Sequence, residues 1–215
     1  AVPPQLPTSL SLDTPEGVFF VGDVPYVVDT GNSRILRYDP FANWPPSTPP
    51  AAKGVLGQST FSEFQPNRSA EIPVTEKVSL ALPVSAVYSD RLYVVDSQNH
   101  RLLVLPDATN DTLVSLARVL GQAAPDGAEP NLTEGREFNF ASLGSGIAVD
   151  RNSSPPRLYV ADTANNRILC FRDARALRPG DRADLVIGQP GFSRVLVNYP
   201  TADPTKPSQN SLFAP

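Results

Sequence analysis

One phrase is written three times in this 215-residue chain at nearly constant separation, and that repetition limits the fold more than any other feature. It reads Tyr26-Val27-Val28-Asp29-Thr30-Gly31-Asn32-Ser33-Arg34, then Tyr93-Val94-Val95-Asp96-Ser97-Gln98-Asn99-His100-Arg101, then Tyr159-Val160-Ala161-Asp162-Thr163-Ala164-Asn165-Asn166-Arg167. The tyrosines lie 67 and 66 residues apart. A second phrase follows each copy: Val55-Leu56-Gly57-Gln58, Val119-Leu120-Gly121-Gln122 and Val186-Ile187-Gly188-Gln189, its glycines 64 and 67 residues apart. Two phrases held in one register mark three copies of one structural unit.

Within each unit, short β-branched and aromatic runs alternate with turn residues, and no helical period appears. In the third unit the runs are 146–149, 158–161, 167–171 and 184–187. Four short strands joined by short turns predict an antiparallel meander, so the fold class is all-β and each unit is one blade of a β-propeller. The units span approximately 10–78, 79–141 and 142–210, with 211–215 opening a further one.

The Tyr-Val-x-Asp-Ser/Thr-x-Asn-x-Arg-Ile/Leu-Leu pattern resembles the core of the NHL repeat. The middle copy, Asn99-His100-Arg101-Leu102, places Arg before Leu, as members of that family commonly do. The resemblance implies propeller blades, which in the family run nearer 40 to 45 residues. A 66-residue spacing therefore implies roughly 20 additional residues in each unit. It does not carry a function with it.

The turn between the second and third strands needs residues that reverse the chain. Asp29, Asp96 and Asp162 are suited to accept backbone N–H groups in an Asx-type turn, and Asn32, Asn99 and Asn165 tolerate left-handed backbone. Arg34, Arg101 and Arg167 then offer a rigid guanidinium fork to that Asp or to nearby carbonyls. A catalytic group is needed once, whereas these recur in every copy, so they read as a structural motif. Tyr26, Tyr93 and Tyr159 and the Ile/Leu pairs read as core.

In a four-stranded meander the turn from strand two to strand three and the connection to the next blade leave the same end. The long connections, 59–78, 123–141 and 190–210, thus share that end with the motif turns and form the candidate binding face. Ser33, His100 and Asn166, the variable positions of the turn, and Gln58, Gln122 and Gln189, at the base of the connections, are its candidate residues. The opposite end carries the proline run at 45–50, read as a stiff loop more than as a polyproline II ligand.

The remaining chemistry is sparse. His100 and Cys170 alone cannot supply a conventional zinc site, and a Ser-His-Asp triad would have to use His100 within a structural turn. Cys170 lies in an apolar run and reads as a small buried hydrophobe. Gly144-Ser145-Gly146 precedes a strand and not a helix, and Asp150 to Ser154 begins like a calcium loop but has Pro155 and Ala161 where Gly and Glu are required. No catalytic residue is nominated and no cofactor is assigned. An axial calcium on the propeller axis stays open, its ligands unknown.

A net charge of −4, from 18 basic and 22 acidic side chains, argues against nucleic acid as partner, and no apolar run reaches the length of a membrane helix. Sequons at Asn67, Asn110, Asn131 and Asn152 would count only in a secretory protein; location is left open, with the balance toward an extracytoplasmic setting. The chain contains no Met, which suggests a processed product or an excised piece.

Three blades do not close a ring, and Ser211-Leu212-Phe213-Ala214-Pro215 repeats Ser79-Leu80-Ala81-Leu82-Pro83 at an offset of 132. The expectation is a six-bladed ring completed by blades of a longer chain or by a second copy. The leading functional expectation is a non-enzymatic binding or scaffolding module for a protein, peptide or glycan. The alternative is a metal-dependent hydrolase or lyase completed by further blades.

Overall fold

The computed structural model describes residues 5–74, 77–106, 118–130, 134–141 and 144–215. Twelve strands lie in chain order among them: β1 (Pro15–Val21), β2 (Val24–Asp29), β3 (Arg34–Arg37), β4 (Gly54–Leu56), β5 (Pro83–Ser89), β6 (Arg91–Asp96), β7 (Arg101–Leu105), β8 (Arg118–Leu120), β9 (Ile147–Asp150), β10 (Arg157–Asp162), β11 (Arg167–Phe171) and β12 (Leu185–Ile187). They form three four-stranded antiparallel sheets, β1-β2-β3-β4, β5-β6-β7-β8 and β9-β10-β11-β12, each a meander in sequence order. No α-helix occurs among the described residues. The architecture is all-β, three blades of propeller type. Their first strands meet, β1 against β5 and β5 against β9.

The register is the same in each copy. Tyr26 faces Arg37, Tyr93 faces Val104 and Tyr159 faces Cys170 across the second and third strands, while each motif Asp faces its Arg. Side chains alternate between the two faces of a strand, so one register decides which residues meet the neighbouring sheet.

The middle sheet shows the consequence. Tyr93, Val95, Leu102, Val104 and Leu120 on one face pack with Leu158, Val160, Leu169 and Phe171 of the third sheet. Leu92, Val94, Leu103 and Leu105 on the other face pack with Phe19, Tyr26, Val28 and Ile35 of the first. With both faces covered, β6 and β7 lose the alternation of exposed and buried residues that a one-sided strand shows.

The outer sheets each keep one face open. Val18 and Phe20 of β1 are 64% and 57% exposed, and Leu185 and Ile187 of β12 are 54% and 47% exposed. The open face of the first sheet is partly roofed by Leu36, Tyr38 and Ala52 with Val27, Trp44, Val55 and Phe61. The three motif tyrosines are not buried alike, contrary to the sequence expectation. Tyr26 and Tyr93 are core residues, but Tyr159 at the same register is only half-buried. Tyr93 is covered by the next sheet and its hydroxyl donates to the Ala174 carbonyl at 3.0 Å, whereas the face bearing Tyr159 meets no further sheet among the described residues. Cys170, on that same face, is a free thiol 5% exposed, and burial raises its pKa, as suits a small hydrophobe.

Candidate binding face

Every motif turn is built alike. After the second strand come three residues of 3-10 turn, Thr30–Asn32, Ser97–Asn99 and Thr163–Asn165, and then one residue in left-handed conformation: Ser33, His100 and Asn166, at φ of 50°, 47° and 52°. The left-handed position is therefore the residue after the Asn, not the Asn itself.

Nor does the Asp make a local Asx turn. Its Oδ1 accepts a distant backbone N–H: Asp13 to Asp29 at 2.6 Å, Ala81 to Asp96 at 2.7 Å, Asn139 to Asp162 at 2.7 Å. Its Oδ2 accepts from the Asn amide three residues on, at 2.9, 2.7 and 2.9 Å, and from Arg Nε at 2.6, 2.7 and 2.6 Å. The partners lie on a segment that enters each blade, around 11–13, 79–83 and 137–141, which we call the strap.

The arginines hold both sides of the turn. Arg101 Nη2 donates to Ser79 O of the strap at 2.8 Å, and Nη1 to Pro125 O of the outgoing connection at 2.7 Å. Arg34 reaches Ser11 O and Phe61 O at 3.0 and 2.5 Å, and Arg167 reaches Glu137 O and Phe192 O at 3.4 and 2.6 Å. All three arginines and their aspartates are fully buried. Burial pushes the Asp96 and Asp162 carboxyls up, while the guanidinium, the strap N–H and the Asn amide pull them back.

Each strap is shared by two blades. The left-handed residue of one blade accepts an N–H from the strap of the next: Leu82 to Ser33 Oγ at 3.3 Å, Phe140 to His100 Nδ1 at 3.0 Å, Ala214 to Asn166 Oδ1 at 3.0 Å. The hydroxyls of Thr30, Ser97 and Thr163 donate to the carbonyls of Pro83, Ala141 and Pro215, at 2.6, 2.5 and 2.8 Å. The 211–215 segment thus sits against the third blade as 79–83 sits against the first. Ser33, His100 and Asn166 share no side-chain class, but all three carry an acceptor.

A backbone N–H can only donate, so His100 Nδ1 carries no proton and the imidazole is neutral. Burial lowers its pKa, opposed by Asp162, Glu129 and Asp96. The unfolded chain, with an ordinary histidine near 6.5, then binds its proton first as pH falls. The strap bond contributes fully above about pH 6.5 and its contribution is lost as pH falls through the lower folded value. In urea melts between pH 7.5 and 5, His100→Asn, which restores an acceptor suited to left-handed backbone, is expected to lose less stability than the parent chain. Parallel pH curves would disprove the assignment.

The three candidate glutamines are equally engaged. Gln58, Gln122 and Gln189 are 3%, 7% and 6% exposed. Their Nε2 groups donate to the carbonyl of the left-handed residue, at 3.3, 2.9 and 3.0 Å, and to a carbonyl seven residues ahead, Gln65, Glu129 and Leu196, at 2.9, 2.9 and 2.7 Å. They pin each long connection onto its motif turn, which places the connections and the turns at one end. The six candidate residues therefore hold the face from beneath, and the connections form its surface.

The connections also bridge blades. Asn67 and Asn99 exchange side-chain amide bonds at 3.1 and 2.8 Å, and with Asn67 5% exposed its sequon is closed to glycosylation in the folded state. Asn152 is exposed, while Asn110 and Asn131 lie outside the described residues. Among the described residues, no three His, Cys, Asp or Glu side chains gather as a metal site would require, and no helix is long and apolar enough to cross a membrane.

No family model matches the chain, and no curated protein matches it. Among solved structures, the chain is similar to Kuenenia stuttgartiensis Hydrazine Synthase. The alignment covers 90% of this chain and 40% of that one, at 11% identity and a TM-score of 0.44. So slight a likeness carries no argument for the fold or the function, and the blades stand on their own sheet topology.

Proposed function

We propose that the chain is a non-enzymatic binding or scaffolding module of the NHL-like propeller kind, presenting its connection-bearing end to a protein, peptide or glycan. One observation carries the reading. The charged and amide groups repeated in each motif are consumed inside the scaffold, bonded to straps and connections, so the repeats build a rigid support for variable loops. In the same proposal, units near 10–78, 79–141 and 142–210 are half of a six-bladed ring, since each open outer face repeats the register of a face that another blade covers.

The test is a footprint. Ligands from glycan and peptide arrays would be added to the chain and hydrogen exchange followed along it. Protection is expected in 59–74 and 190–210, with the opposite-end turns, including 45–50, unchanged. Protection confined to the opposite end would overturn the reading.

A further inference from the structure

Repeated residues build the scaffold, so a departure from the repeat within one unit is where individual chemistry is to be sought. The first connection carries such a departure. A cavity of about 350 Å³ opens beside β4, lined by Lys53, Arg68, Lys77, Gln58, Ser59 and Phe61. That volume suits a single small ring or a short piece of a longer ligand.

The three cations are absent from the matching places of the third unit. The Lys53 N–H donates to Arg37 O as that of Asp184 donates to Cys170 O. The Asn67 N–H donates to Leu80 O as that of Asn198 donates to Leu212 O, which aligns Arg68 with Tyr199 and Lys77 with Gln209. An acid, a phenol and an amide thus stand where the first unit has Lys, Arg and Lys. In a chain of net charge −4 this is a local reversal of sign.

Arg68 is held in place. Its Nε donates to Val78 O at 2.9 Å and its Nη1 to Ser59 Oγ. It lies in a run of left-handed residues, Asn67, Arg68 and Ser69 at φ of 52°, 57° and 69°, an arrangement that costs energy in residues other than glycine. Burial lowers the Arg68 pKa, with Glu63 opposing. Glu63 itself accepts the Ser59 N–H at 2.7 Å. Lys53 has a loose, exposed partner in Asp39 at 3.7 Å.

Gln58 forms part of the cavity wall. Its Nε2 is spent on three carbonyls, but its Oε1 is buried with no hydrogen-bond partner. Gln189 Oε1 is likewise unpartnered, so the atom belongs to the repeat and the cations around Gln58 do not. Gln58 Oε1 is fully buried and closed to a ligand hydroxyl, so the amide serves as wall. Beside it, three cations call for a negative charge, and Phe61 offers an apolar wall. A second cavity of about 280 Å³ shares Gln58, Ser59 and Arg68 and adds Ser62, Glu63 and Gln65, a polar continuation suited to further hydroxyls.

We propose that this cavity binds a hydroxylated carboxylate, a sugar acid carried on a glycan, with the carboxylate toward Lys53, Arg68 and Lys77 and its hydroxyls toward Ser59, Ser62 and Gln65. The assignment rests on the binding-face reading and gives it a ligand class. The probes are glucuronate, glucose and inorganic phosphate, titrated into the whole chain by calorimetry, with the Gln58 side-chain amide signal followed by NMR.

Glucuronate is expected to bind at least tenfold more tightly than either glucose or phosphate and to shift the Gln58 amide. The double variant Lys53→Gln/Lys77→Gln, which changes two exposed side chains and leaves the scaffold bonds intact, is expected to weaken glucuronate at least tenfold. Equal binding of phosphate, equal binding of glucose, or indifference to the double variant would each overturn the proposal. If glucuronate fails while an array ligand still protects 59–74, the sugar-acid site falls and the binding face stands; if that protection is also missing, both fall.

Discussion

Arg101→Met is expected to cost about 3–5 kcal/mol of unfolding free energy, as for removal of one partner from a buried ion pair. Arg101 is fully buried, and its three donors close on Asp96 Oδ2, Pro125 O and Ser79 O at 2.7, 2.7 and 2.8 Å. Methionine fills most of the volume but leaves a buried carboxylate without its cation and two carbonyls without their donors. Against the roughly 5–15 kcal/mol that holds a typical domain folded, the loss is severe. Lysine keeps the charge and loses the fork, so Arg101→Lys is also expected to destabilise, by about 2 kcal/mol or more. Adding Asp96→Leu to Arg101→Met removes the orphaned charge, yet the strap N–H of Ala81 then loses its acceptor. The double variant is thus expected to be strongly non-additive without regaining parent stability. Urea melts of the parent, the three single variants Arg101→Met, Arg101→Lys and Asp96→Leu, and the double variant give the comparison, and a loss under about 1 kcal/mol for Arg101→Met would contradict the role assigned to the motif.

Gly121→Ala is expected to cost about 2–5 kcal/mol, combining backbone strain with overpacking. Gly121 sits at φ +93°, where an added Cβ would overlap the Phe138 ring and stand 3.0 Å from the His100 carbonyl. The same place recurs at Gly57 and Gly188, whose added Cβ would lie 2.7 Å from Leu80 Cδ1 and 2.6 Å from Leu212 Cγ. Gly22 is the control, at φ +63° with open space around it. Gly22→Ala carries the strain alone and is expected to cost about 1 kcal/mol. Thermal melts distinguish the two, and equal losses would show that contact with the strap is unimportant.

The blades were legible because their strands are short, β-branched and repeated. The third-unit runs at 146–149, 158–161, 167–171 and 184–187 lie within a residue of β9 to β12. The recurrence of the motif was legible, since one Asp, one Asn and one Arg stand in every copy. Its bonding was not legible, because Asp96 pairs with Ala81 and Arg101 with Ser79 and Pro125, partners chosen by tertiary position and offering only backbone atoms, which carry no residue signature. Ser33, His100 and Asn166 looked variable and hence exposed; what they share is an acceptor in a left-handed turn, a property that crosses side-chain classes. Gln58, Gln122 and Gln189 misled in the opposite way, since polar residues beside long connections suggest surface when their amides are anchors. The cation cluster escaped notice because Lys53, Arg68 and Lys77 are scattered in sequence and are gathered only when the connection folds back.

A strap bonded on both sides means that the cooperative block does not coincide with the repeat in the gene. Cutting between sheets, near 79–83, severs the Asp96 bond to Ala81 on one side and the Ser33 and Thr30 bonds on the other, so one break weakens two blocks. Duplication of a whole unit, by contrast, carries one strap with it and leaves every junction matched. A break at the distal proline turn of 45–50 would leave all of those clasps closed, and it is there that an opened chain disturbs the scaffold least.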